Sequence, residues 1–150
     1  MAFRKAPLNG IQANELFKGF TTQMIHSLPP AWDQLFLNFR AMGKYVELTA
    51  QIITVHGTSM DWTPPDSVLP FLTKMRDSMY DWDQRAVWLS LRYHLVHPSK
   101  YSIEYNWGDR EPDWDHVPPA EFFDEELELY PRDEDNLPEW WERRLDDVDA

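Results

Sequence analysis

The chain has 150 residues, of which 43% are hydrophobic and 15% aromatic. That is enough for one domain with a sizeable core, and too apolar for a disordered polymer. It contains no cysteine, which excludes disulfides, thiolate catalysis and zinc ribbons. The formal net charge of −12 is unevenly spread: residues 1–103 hold ten Lys/Arg and eight Asp/Glu, residues 104–150 four Lys/Arg and eighteen Asp/Glu. Such a field repels nucleic acid and attracts basic proteins or cations. No apolar run approaches the roughly 20 residues of a membrane span, and the opening MAFRKAPLNG lacks the apolar centre of a signal peptide. The expectation is a cytoplasmic protein that binds neither nucleic acid nor membrane.

In chain order, residues 1–11 are expected to be flexible, and residues 12–28 to form a helix. Leu16, Phe17, Phe20, Met24, Ile25 and Leu28 recur near helical spacing, Asn14 is a candidate cap, and Pro29 and Pro30 stop it. DQLFLNFRAM then sets Leu35, Leu37 and Phe39 against Phe36, Asn38 and Arg40. Gly43 offers a turn, and KYVELTAQIITV alternates Val46, Leu48, Ala50 and Ile52 against Glu47, Thr49 and Gln51. Two strands around a short turn make a hairpin. His56-Gly57-Thr58 and Trp62-Thr63-Pro64-Pro65 read as loop. Asp66 or Ser67 begins a helix reaching residue 83, with Leu69, Leu72, Met75, Met79 and Trp82 on one face and Pro70 in its first turn.

A second hairpin follows. Val87, Leu89, Leu91, Tyr93 and Leu95 alternate with Trp88, Ser90, Arg92 and His94, HPSK turns the chain, and YSIEYN returns it. Residues 108–119 form a Gly/Pro/Asp loop. AEFFDEELEL, 120–129, reads as a short helix with Phe123, Leu127 and Tyr130 inward and Glu121, Asp124, Glu125 and Glu128 outward. Asn136 is a candidate cap for a last helix carrying Trp140, Trp141 and Leu145. The whole is one α+β domain over residues 1–150, an antiparallel sheet of about four strands built from two hairpins and packed against helices. The strands are expected at 33–40, 45–55, 86–96 and 101–107.

Asp109, Glu111, Asp113 and Asp115 alternate rather like calcium-loop ligands, but such a loop wants Gly sixth and Glu twelfth, and counting from Asp109 gives Trp114 and Ala120. A solvated loop fits better than a metal site. His94 and His97 point to opposite faces by strand geometry, His116 lies among the acids, and His26 closes the first helix. There is no G-x-S-x-G elbow, Ser-x-x-Lys pair or glycine-rich phosphate cradle. Paired carboxylates are abundant, yet they cluster in the polar tail rather than in a setting that raises one pKa. The reading is a protein without enzymatic activity, cofactor or metal. Trp140 and Trp141 are expected to pack, whereas Trp107 and Trp114 fit packing or a partner-facing hot spot equally well.

Several stretches, taken in order, resemble a family. SLPPAWDQLFL after a first helix, a hairpin with YVEL, an aromatic hairpin ending YSIEYNW, and the close ELELYPRDEDNLPEWW together are similar to the YezG-type antitoxin, or immunity, family of bacterial polymorphic toxin systems. The resemblance runs from about residue 12 to 145, nearly the whole chain. It implies a small acidic α+β inhibitor that binds the toxic domain of a secreted toxin without chemistry of its own. The toxin would be a basic nuclease, or alternatively an NAD-hydrolysing toxin. Carboxylates offered in place of phosphates suit the first of these. The expected partner-binding residues are Trp107, Asp109, Glu111, Asp113, Trp114, Asp115, Glu121, Asp124, Glu125 and Glu128. An acidic adaptor module unrelated to toxins, and a hydrolase using the acids with His116, remain as other readings.

Overall fold

The computed structural model describes residues 7–133, 135 and 137–149. Helix α1, Gly10–Ser27, begins at Asn9 rather than Asn14. Asn9 accepts from the amide of Gln12 at 2.8 Å, and the Gln12 side chain accepts from the amide of Asn9 at 3.0 Å, a reciprocal cap that needs Gln three residues on. Asn14 instead takes the Tyr101 hydroxyl at 2.6 Å. Leu8, in the stretch expected to be flexible, donates its amide to Ser78 O at 3.0 Å and is tied to the fold.

The helix is followed by β1 (Trp32–Met42), β2 (Tyr45–Thr54), β3 (Ser59–Asp61), α2 (Val68–Ser78), β4 (Ser90–Val96), β5 (Lys100–Asn106), α3 (Ala120–Leu129) and α4 (Glu139–Asp149). The protein is α+β. Its sheet is fully antiparallel with order β3-β2-β1-β4-β5, five strands where about four were expected. The additional strand, β3, is three exposed residues paired to Gln51–Ile53, so it has no buried face to give an alternating pattern. The Asn136 cap proposed for α4 lies outside the described residues.

Helix α2 stops at Ser78, five residues short of expectation, because Asp81 turns the chain. Its Oδ1 accepts from the amides of Asp83 at 2.9 Å and Gln84 at 3.1 Å, a local turn that competes with helix. Trp82 therefore leaves the helix face, 40% exposed and edge-on to Tyr80. Residues 86–89 are not regular strand, so the expected alternation fails there. Trp88 is fully buried against Phe39, not on the polar side of the sheet.

Two cores result. In the first, Phe17, Phe20 and Met24 of α1 and Leu72 and Met75 of α2 pack on Leu35, Leu37, Phe39, Ile52, Leu91, Tyr93 and Leu95 of the sheet. The second gathers Met42, Leu89, Phe123, Trp140 and Trp141 beneath α3 and α4. Trp140 and Trp141 thus pack as expected. Glu126 of α3, 0% exposed, pairs with Arg76 of α2, 2% exposed, and accepts from the amide of Gly43 at 2.7 Å. Arg76 also donates to Trp88 O at 2.8 Å. Two buried charges persist only when paired and bonded in this way. Gln34, Phe36, Asn38 and Arg40 of β1, with Arg92 and His94 of β4, point away from the first core and form a polar sheet face. Among the described residues no helix is long and apolar enough to cross a membrane.

Candidate functional site: the acidic loop and helix α3

The loop leaving β5 is pinned at its root by the residues around Asn106. The Asn106 amide donates to Arg110 O at 2.9 Å and accepts from the amide of Gly108 at 3.1 Å. Gly108 has φ +118, and a Cβ there would sit 3.1 Å from Arg132 Nη1, so glycine is required at this bend. Trp140 Nε1 donates to Gly108 O at 2.9 Å, and Arg132 reaches Trp107 O at 3.1 Å. The turn is thereby fastened to the start of α4.

Beyond Asp109 the alternating acids diverge, Glu111, Asp113 and Asp115 each to a different cation. Glu111 takes both arms of Arg144, at 2.6 and 2.9 Å. Asp113 takes Arg92 of β4 at 2.9 Å, and Asp115 lies 3.5 Å from Arg40 of β1. Trp114 turns inward, edge-on to Tyr45 and against the second core, so packing claims most of its ring. The loop ends on Glu47 of β2, whose carboxylate accepts from the amides of Asp115 at 2.9 Å and His116 at 3.0 Å and from Arg40 Nε at 3.0 Å. Burial pushes the Glu47 carboxyl up, but these bonds and one from the Tyr45 hydroxyl outweigh it and hold the group below its ordinary value of 4.5.

The ten residues expected to face a partner separate accordingly. Trp107 is 39% exposed at the mouth of a cleft of 650 Å³ that also takes in Asp109, Arg110 and Arg143. Asp109, Glu121, Asp124 and Glu128 are exposed and pair with no cation among the described residues. Asp113 and Asp115 are exposed but hold arginines of the sheet. Glu111 and Glu125 are half-buried, the latter accepting from the amide of Lys44 at 2.6 Å, so they serve the fold. Glu125, expected to point outward, turns instead to the β1–β2 turn. Among the described residues no three His, Cys, Asp or Glu side chains gather to hold a metal ion. The arrangement offers fixed negative charge and one exposed ring.

What sequence reasoning missed are the cations: Arg40, Arg92 and Arg144, which decide which acids face outward. Arg40 and Arg92 stand on the polar side of alternating strands, a visible signal, but their partners are set by the fold rather than by spacing. Glu126 was also passed over. Three residues after Phe123 and four before Tyr130, it falls on the inner stripe of α3.

No protein-family model matches the chain, and no curated protein matches it. The resemblance therefore stands on the stretches quoted for it.

Proposed function

We propose that the protein is an immunity protein that binds the toxic domain of a cognate bacterial toxin one-to-one and inhibits it by covering its active surface. The observation that carries this reading is the division of the acids. Arginines hold Glu111, Asp113 and Asp115 and so stiffen the loop, while Asp109, Glu121, Asp124 and Glu128 remain exposed and pair with no cation among the described residues. A stiff loop loses little entropy on binding, and unpaired surface acids speed encounter with a basic partner. With four Lys/Arg against eighteen Asp/Glu, residues 104–150 carry a net −14. The ordered likeness to the antitoxin family supports the same conclusion. A nuclease suits best as the toxin, because the surface that holds its phosphate backbone is basic.

The test is activity of a candidate toxin domain, sought in the neighbouring genes, against added protein at low and high salt. Exchanging Asp109, Glu121, Asp124 and Glu128 for their amides should slow association and flatten its salt dependence. Trp107→Ala should instead speed dissociation, by about 2 kcal/mol or more if the ring is buried at the interface. Full protection by both variants at every salt would move the contact off this surface. Absence of any complex would leave an acidic module with another partner.

A further inference from the structure

Three arginines converge on one cavity of 260 Å³ over the polar face of the sheet: Arg40 from β1, Arg92 from β4 and Arg110 from the loop. Asn38, Ser90, Asp113 and Asp115 are among the other residues that line it. In a chain of net charge −12 such a gathering of cations is unexpected: Arg40 and Arg92 brace the acidic loop, yet they carry more donors than Asp115 and Asp113 take up. Arg40 is the informative member. Only 6% exposed, it gives Nε to Glu47 at 3.0 Å and Nη1 to Thr49 at 3.3 Å, while its buried Nη2 makes no hydrogen bond among the described residues. The carboxylate of Asp115 stands off at 3.5 Å. A buried guanidinium N–H without an acceptor is costly, and structures rarely leave one so. Among the described residues Arg92 makes a single bond, to Asp113, and Arg110 reaches only Glu104, at 4.0 Å. Each therefore has donors to spare.

We propose that this cavity binds an oxyanion of the phosphate class, with Arg40 Nη2 at its floor and Arg92 and Arg110 at its rim. Forked guanidinium donors match phosphate oxygens and bond them strongly because both partners are charged. Asp113 and Asp115 act as resident competitors: each occupies a guanidinium that the anion would take, and each repels it. A neighbouring cavity of 520 Å³ shares Asn38 and Arg92 with the first. It contains Phe36 stacked on His94 at 4.3 Å, together with Gln51. A phosphate monoester of a ring compound would have a flat surface to lie along, which free phosphate would not use.

The experiment is calorimetric titration of the full chain with inorganic phosphate and, separately, with a nucleoside monophosphate, at fixed ionic strength. Saturable one-to-one binding is expected. Arg92→Gln or Arg110→Gln should weaken it about ten-fold, the loss of one charge-assisted hydrogen bond, and D113N should tighten it by removing a competitor. Arg40 is left intact because its removal strands Glu47; circular dichroism checks that the rim variants fold. Tighter binding of the nucleotide, lost in F36A, supports a phosphate site extended along the sheet. Equal binding of both compounds supports a site for the phosphate group alone. Absence of saturable heat with either compound, or unchanged binding in both arginine variants, overturns the proposal.

Discussion

Glu126 illustrates how one side chain can hold three elements: Arg76 of α2, the Gly43 turn and its own helix α3 meet at its carboxylate. E126Q would leave Arg76 buried without its counter-charge, and should cost roughly 3–5 kcal/mol in urea unfolding. Replacing both partners by apolar residues, R76M with E126L, should cost clearly less, because no charge is then stranded. A loss below about 0.5 kcal/mol in E126Q would show that the pair does not hold the fold. Gly43 is the tightest backbone position beside it. With φ +61, and with an added Cβ placed 2.8 Å from Glu125 Oε1 and 2.9 Å from Phe122 O, Gly43→Ala should destabilise by more than about 1 kcal/mol. Neither effect was legible in the sequence. Glu126 stands in a run of acids, and what marks it out is the inner stripe of a helix that must first dock.

Among the elements, the two hairpins were legible because each strand buries one side only, and alternation reports that directly. The same logic failed where no side is buried, at β3, and where the chain is not pleated, at Trp88. Burial also grades the leucine and isoleucine positions of the two hairpins. Leu89 and Leu91 are fully buried, whereas Leu48 of β2 and Ile103 of the edge strand β5 are half-buried. Leu91→Ala should therefore cost roughly 2–5 kcal/mol, with L48A and I103A each losing less in the same denaturant series. The loop's attachment to β2 gives a pH prediction. Glu47 has its pKa lowered by folding, so its stabilisation is present above the ordinary value of 4.5 and is lost as pH falls through the lower folded value. E47Q should be less stable than the parent at neutral pH and should converge with it in acid. Hydrogen exchange at the amides of Asp115 and His116, which Glu47 accepts, should rise in the variant. Unchanged exchange there would mean that the loop holds itself.

For the whole molecule, charge asymmetry was the feature that composition made plain, and the structure shows how much of it is spent inside. Arg40, Arg92 and Arg144 each meet a carboxylate of the loop, so the charge available to a partner is smaller than the formal −14 of residues 104–150 and lies at Asp109 and along α3. Which acids of the loop are taken up could not be read from spacing, because the pairs of Glu111, Asp113 and Asp115 each join segments far apart in sequence. The consequence for binding is kinetic. If the partner is the proposed toxin domain, raising ionic strength should slow association with it while leaving dissociation nearly unchanged, since exposed charges are screened beyond about 8–10 Å and packed contacts are not. Stopped-flow mixing at several salt concentrations measures this. A dissociation rate that carries most of the salt effect would place a charged pair inside the interface instead.

The Arg76–Glu126 pair also has a meaning in time. Glu126 joins the growing chain 50 residues after Arg76. As synthesis proceeds, α1, α2 and the sheet can gather their first core, yet Arg76 has no carboxylate to meet until α3 has left the ribosome. Until then burying its charge is unfavourable, and the site between α2 and the β1–β2 turn stays wet. Burial of the Arg76 charge is therefore favoured only once the acidic third has been made, which sets this pair among the last contacts the growing chain can form.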